Sequence, residues 1–207
     1  MSGRVVAASV RGWLGVVAAV AGVVLLVLGV RYAGEGEPGG VDARVQAVVE
    51  GVGQPWRGVA LVLDFLGEPV GATLLVVAAV AGCLLGRRPR GAVLVVAGVC
   101  LTVGTATVLK HVVGRTIHGD DNLSYPSGHT AFFTALALAV ALAATHRRRG
   151  PLVLGAAAVA AVAAGAAMGW AQVALGAHYP TDVLGGWCTA LVVVPVTAWV
   201  VDRRERH

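Results

Sequence analysis

Charge is what this sequence has least of. Asp, Glu, Lys and Arg make up 13% of its 207 residues, about half the share in an ordinary water-soluble domain, and mean hydropathy is +0.79. Those values exclude a free soluble domain. Cysteine is nearly absent. Cys83, Cys100 and Cys188 each sit inside an apolar run, which excludes a disulfide framework or a thiolate metal site and leaves them as small packing residues. Carboxylates and cysteines do not cluster at metal-ligand spacing either, so no metal and no cofactor is expected. No internal repeat and no soluble appendage is visible. A net charge of +5 and a pI near 9.7 would suit a nucleic-acid binder. The arginines, however, fall in short clusters between apolar runs, as in cytoplasmic membrane loops, and no nucleic-acid partner is expected.

What the sequence has in abundance is apolar length. Trp13 to Val30 is continuous and long enough to cross a bilayer core of roughly 30 Å. A cleaved signal peptide competes with that reading, but no small-residue cleavage site follows, so a retained helix is expected. Arg31 to Pro55 is polar and glycine-rich, with a short amphipathic helix expected over 41–52. Residues 56–66 are apolar apart from Arg57 and Asp64 and too short to span, which fits an interfacial segment. Further spans are expected at about 68–85, 92–110, 129–145, 152–174 and 183–201. The expected fold is therefore all-α, a single membrane domain of six transmembrane helices covering 1–207.

Six spans put both termini on one side. Arg4, Arg11, Arg87, Arg88, Arg90, Arg147, Arg148, Arg149, Arg203, Arg204 and Arg206 all fall on that side, 11 of the 16 basic residues, which makes it cytoplasmic. The loops holding Lys110 to His129 and His178 then open on the outer face. A multi-pass cell-membrane protein is expected, with abundant Ala and Gly allowing close helix packing in lipid.

Several polar groups have no hydrophobic explanation. Ser124 to His129 reads Ser-Tyr-Pro-Ser-Gly-His, a polar knot between two apolar runs. Pro126 delays helix, Ser127 is a natural N-cap, and the helix amides near Gly128 and His129 make an anion site. Lys110 ends one span, Arg115 follows it, and His178 and Asp182 flank the start of the last. Lys110 alone would read as a snorkelling anchor. Together these groups share one outer level, where burying an ionisable side chain marks function.

The chemistry such a set can perform is phosphoryl transfer, which demands mainly positioning and charge stabilisation. Lys110 and Arg115 can hold the non-bridging oxygens. A neutral imidazole can attack phosphorus when a carboxylate fixes its tautomer, and His178 with Asp182 suits that pairing. His129, starting protonated, would give a proton to the departing alkoxide.

These residues resemble the type-2 phosphatidic acid phosphatases, the integral-membrane lipid phosphate phosphatases that share a site with bacterial acid phosphatases and vanadium haloperoxidases. The family's second motif, Pro-Ser-Gly-His, is met by Pro126, Ser127, Gly128 and His129. The latter half of the third is met by His178 and Asp182, and the first by Lys110 with Gly114-Arg115. Two departures stand out: Ile117-His118 replaces Arg-Pro, and Ala171-Gln172 replaces Ser-Arg. Two guanidiniums are thereby lost, and Gln172 offers only a neutral donor. His111, His118 and Arg57 are the candidates to compensate. The resemblance implies His178, His129 and Asp182 as catalytic residues and Lys110, Arg115, Ser127, Gly128 and Gln172 as the substrate-binding set. It implies a metal-independent phosphatase acting through a phosphohistidine on a membrane lipid phosphate: phosphatidic acid, phosphatidylglycerol phosphate or a polyprenyl phosphate or diphosphate. The alternative is a weak or inactive family member that binds lipid phosphates.

Overall fold

The computed structural model describes residues 8–145 and 151–203. Arg4, Arg147, Arg148, Arg149, Arg204 and Arg206, used above to orient the chain, lie outside them. The helices are α1 Ala8–Arg31, α2 Gly40–Val49, α3 Trp56–Gly67, α4 Pro69–Leu85, α5 Pro89–Val113, α6 Gly128–Thr145, α7 Pro151–Ala174 and α8 Pro180–Arg203. Beyond these, the described residues contain an isolated antiparallel bridge between Thr116 and Leu123. Prolines open α4, α5, α7 and α8, where the missing N–H costs no hydrogen bond and φ is already helical.

Helices α1, α4, α5, α6, α7 and α8 lie over the six segments expected to span, α2 over the amphipathic stretch and α3 over the interfacial one. Among the described residues four stretches are long and apolar enough to cross a membrane: Gly12–Arg31, Pro89–Val113, Gly155–Ala174 and Pro180–Arg203. Helices α3 and α4 meet at a 70° bend and are long and apolar enough only as a pair, the geometry of a broken span or a re-entrant loop. The α6 stretch Gly128–Ala144 is apolar but shorter. A count of six therefore goes beyond what helix length alone establishes.

The core is built by α5, α6 and α8. Leu94 and Val95 pack with Phe132, Ala135 and Ala139, and with Ala190, Val194 and Ala198. Alanine at so many of these positions lets the backbones approach closely. Outward-facing Val16, Val20, Val23 and Leu26 on α1 are exposed, as expected of a helix whose outer face meets hydrocarbon. Helix α3 docks on the end of α7: Ala60 is buried against Ala171 and Ala174, and Trp56 meets Trp170 edge-on at 6.3 Å.

The bundle has two chemically different ends. At one, the Arg88 guanidinium donates to the carbonyls of Ala143 (3.0 Å) and Ala144 (3.1 Å), tying the α4–α5 turn to the end of α6. At the other lie Lys110, the start of α6, the α7–α8 turn and α2.

Candidate active site

The α7–α8 turn is set by a helix stop. Gly176 has φ +71°, the Ala177 N–H donates to the Gln172 carbonyl (2.9 Å), and the Gly176 N–H donates to that of Val173 (3.0 Å). This is the paired bonding of a left-handed glycine terminator. It releases the chain so that His178 falls between two helices and Asp182 in the first turn of α8.

Asp182 is fully buried and held from several sides. One oxygen accepts from Arg115 at 2.6 Å and the other from the Tyr179 N–H at 3.0 Å. Its main-chain carbonyl accepts the Ser127 N–H at 2.9 Å, joining the last helix to the Pro-Ser-Gly-His motif. The second oxygen lies 3.7 Å from His178 Nδ1, which has no other partner. Burial pushes the His178 pKa down. Asp182 opposes that shift, while the charges of Lys110 and His129 add to it. Burial and the neighbouring cations thus favour the neutral imidazole.

Arg115 is engaged by the protein's own acids. Its guanidinium is fully buried, bonded to Asp182 Oδ1, to Thr181 Oγ1 (2.6 Å) and to Asp42 Oδ2 (2.7 Å). It is also sandwiched between the rings of Tyr32 (3.9 Å) and Tyr179 (4.4 Å). Asp42, also fully buried, comes from α2. It accepts the Thr181 N–H at 2.9 Å as well, placing a carboxylate at the N-terminus of α8, where the helix dipole favours one. The 31–55 stretch is therefore a brace whose acid completes the buried ion cluster. Asp42 carried no sequence signal beyond being one acid among four in a glycine-rich interval.

Ser127 caps α6 as its position suggests. Its Oγ accepts the Thr130 N–H at 3.4 Å and donates to Thr130 Oγ1 at 3.1 Å. A side chain at Gly128 would project into open space, so this end of α6 is accessible. Lys110 Nζ is part-buried and donates to the Leu123 carbonyl at 2.6 Å. Of the proposed substitutes for the missing arginines, His118 Nε2 bonds to the Gly176 carbonyl at 2.8 Å and His111 Nδ1 to that of Thr107. Arg57 is exposed on α3.

His129 has unexpected neighbours. Its Nε2 is buried without a hydrogen bond, 3.7 Å from Asp64 Oδ1 and 3.6 Å from Glu68 Oε1. A side chain at Gly67 would overlap the His129 ring, so glycine there lets the α3–α4 bend close over the imidazole. Gln172 faces this group, donating to Asp64 Oδ1 at 2.8 Å. Where the resemblance implies an arginine on phosphate, this chain has an amide on a carboxylate. Asp64, Glu68 and His129 present one ligand atom each within 4.8 Å of one another, a spacing that could hold a metal ion. Positions 64 and 129 are far apart in sequence, so the cluster is invisible until α3 folds onto α6. The one hint was a carboxylate in an otherwise apolar segment.

The sequence profile of the PAP2 superfamily matches residues 71–206, and the chain belongs to that family. Among solved structures it is similar to a transmembrane PAP2 type phosphatidylglycerolphosphate phosphatase from Bacillus subtilis. The identity is 22% and the TM-score 0.71, over 91% of this chain and 98% of that one. No curated protein matches the sequence.

Proposed function

We propose that this chain is a six-span, metal-independent lipid phosphate phosphatase working at the extracytoplasmic face, with both termini cytoplasmic. One observation carries the reading: His178, beside a rigidly held Asp182, shares one end of the bundle with His129 and Lys110 in a chain of the PAP2 superfamily. His178 Nε2 attacks phosphorus while the bond to the lipid oxygen breaks, and His129 gives its proton to that oxygen. Asp182 steadies the positive charge growing on His178. Water then attacks the phosphohistidine, the N–P bond breaks, and His129 recovers a proton, leaving lipid alcohol and inorganic phosphate. Lys110 and the amides at Gly128 hold the non-bridging oxygens. Ser127 positions those amides by capping, Arg115 acts through Asp182, and Gln172 shapes the wall opposite His129. Phosphatidic acid, phosphatidylglycerol phosphate and polyprenyl phosphates or diphosphates are the substrates to test.

A second reading, a weak or inactive binder of lipid phosphates, is favoured by one observation: Arg115 and Gln172 are both engaged by carboxylates. The deciding experiment is turnover of purified protein on that lipid panel with EDTA present, followed by acid quench to trap phosphoprotein. Turnover and a trapped phosphohistidine, both absent in His178→Ala, are expected. Undiminished activity in His178→Ala refutes the nucleophile. No turnover on any lipid by the wild type leaves the binding reading.

A further inference from the structure

We propose that Asp64, Glu68 and His129 form a divalent-cation site whose occupation switches the protein off. The donor atoms are already arranged for it. His129 Nε2 stands 3.7 and 3.6 Å from the two carboxylates, too far for hydrogen bonds. Two ligands at 2.0–2.2 Å from one tetrahedral ion are separated by about 3.4 Å, close to both of these distances, and all three donor atoms lie within 4.8 Å of one another. Among the described residues nothing hydrogen-bonds His129 Nε2, and that atom is buried. The carboxylates are reachable from water, Asp64 being 31% and Glu68 52% exposed.

The surroundings behave as an outer layer for such a site. Gln172 donates to the Asp64 oxygen nearest His129, fixing a ligand carboxylate as outer partners of metal sites do. Gly67 lets the backbone pack directly on the imidazole, where any larger side chain would overlap the ring. Asp64 lies in the last turn of α3, and Glu68 is the residue between α3 and α4. The bend itself therefore sets the distance between them. One imidazole with two carboxylates suits zinc, cobalt or nickel better than magnesium or calcium, which prefer all-oxygen sets. Three protein ligands leave a position open to water or a phosphate oxygen.

The inhibitory consequence rests on the phosphatase reading. A ligating imidazole is in its neutral form, so with a cation on Nε2 His129 has no acid proton for the leaving alkoxide. Catalysis that needs no metal is then stopped by one.

The test uses full-length, metal-stripped protein in nanodiscs, titrated with Co2+ and followed by its visible absorption, then with Zn2+ as competitor. One equivalent of cobalt, displaced by zinc, is expected. Glu68→Gln and Asp64→Asn should each weaken binding at least tenfold without lowering the unfolding temperature. On lipid phosphate, Zn2+ should inhibit and a chelator restore turnover. Glu68→Gln should move the inhibition curve at least tenfold to higher zinc. No cobalt spectrum, or equal binding by folded variants, overturns the site. Zinc that binds there and raises turnover overturns the switch. Hydrolysis without cobalt binding refutes this inference and spares the phosphatase reading; cobalt binding without hydrolysis does the reverse.

Discussion

Arg115→Gln separates a structural guanidinium from a phosphate-binding one. In the wild type, one cation serves two fully buried carboxylates at 2.6 and 2.7 Å. Glutamine there strands Asp42 and Asp182 as like charges in low dielectric. Removing one partner of a buried ion pair typically costs about 3–5 kcal/mol, and the lost stacking between Tyr32 and Tyr179 adds to that. For a chain of this length each kcal/mol lowers the unfolding temperature by roughly 2–4 °C, so a fall of about 6–20 °C is expected. Arg115→Lys keeps the charge but loses the fork that reaches both acids and should fall between. Lys110→Gln is the contrast: it should raise KM and weaken vanadate inhibition with a much smaller thermal shift. The measurements are thermal unfolding in nanodiscs and steady-state kinetics on the same preparations. An Arg115→Gln protein that melts like wild type but binds vanadate weakly would refute the buried-hub reading and restore Arg115 to the phosphate.

Three further outcomes are expected. The His178 pKa is lowered by burial, so if His178 is the nucleophile the acid limb of kcat/KM should fall below pH 6.5. Between that ordinary value and the lower folded one, the unfolded chain binds a proton the native state does not, so stability should drop as pH falls through that window. A limb above 6.5 contradicts this. Gln172→Arg should gain little vanadate affinity because Asp64 captures the new cation, whereas Gln172→Arg with Asp64→Asn should gain roughly tenfold, about 1.4 kcal/mol. Equal gains in single and double variants would show that Asp64 does not engage position 172. With Cys83, Cys100 and Cys188 replaced, a cysteine at Asp121 should react with an impermeant reagent on intact cells and one at Arg148 should not. The reverse pattern would put the chemistry on the cytoplasmic side.

What was legible in the sequence was whatever is local along the chain. Apolar runs marked the helices, and Ser127 announced its cap through the Pro-Ser-Gly-His neighbourhood. His178 and Asp182 sit four apart, so their pairing needed only a turn. The buried partners of Arg115 were not legible, because its spacing from Lys110 says nothing of what folds over it. Its fate depends on Asp42, which reaches it from a different helix at a separation of 73 residues. Asp64 was noticed as an oddity, but its meaning needed the 70° bend between α3 and α4 and the bare backbone of Gly67. Periodicity and motif spacing carry no information on such long-range meetings of polar atoms.

The bond from the Thr181 N–H to Asp42 spans 139 residues, and that distance orders the assembly of the protein in time. During synthesis Asp42 is made long before α8, and it waits hydrated, as Arg115 later does, until the last helix arrives. Asp182 cannot take up its final position beside His178 until that helix docks against α2 and the start of α6. Closing so long a loop is a late and slow event. The buried ion cluster around Arg115 therefore closes only once α8 has packed against α2.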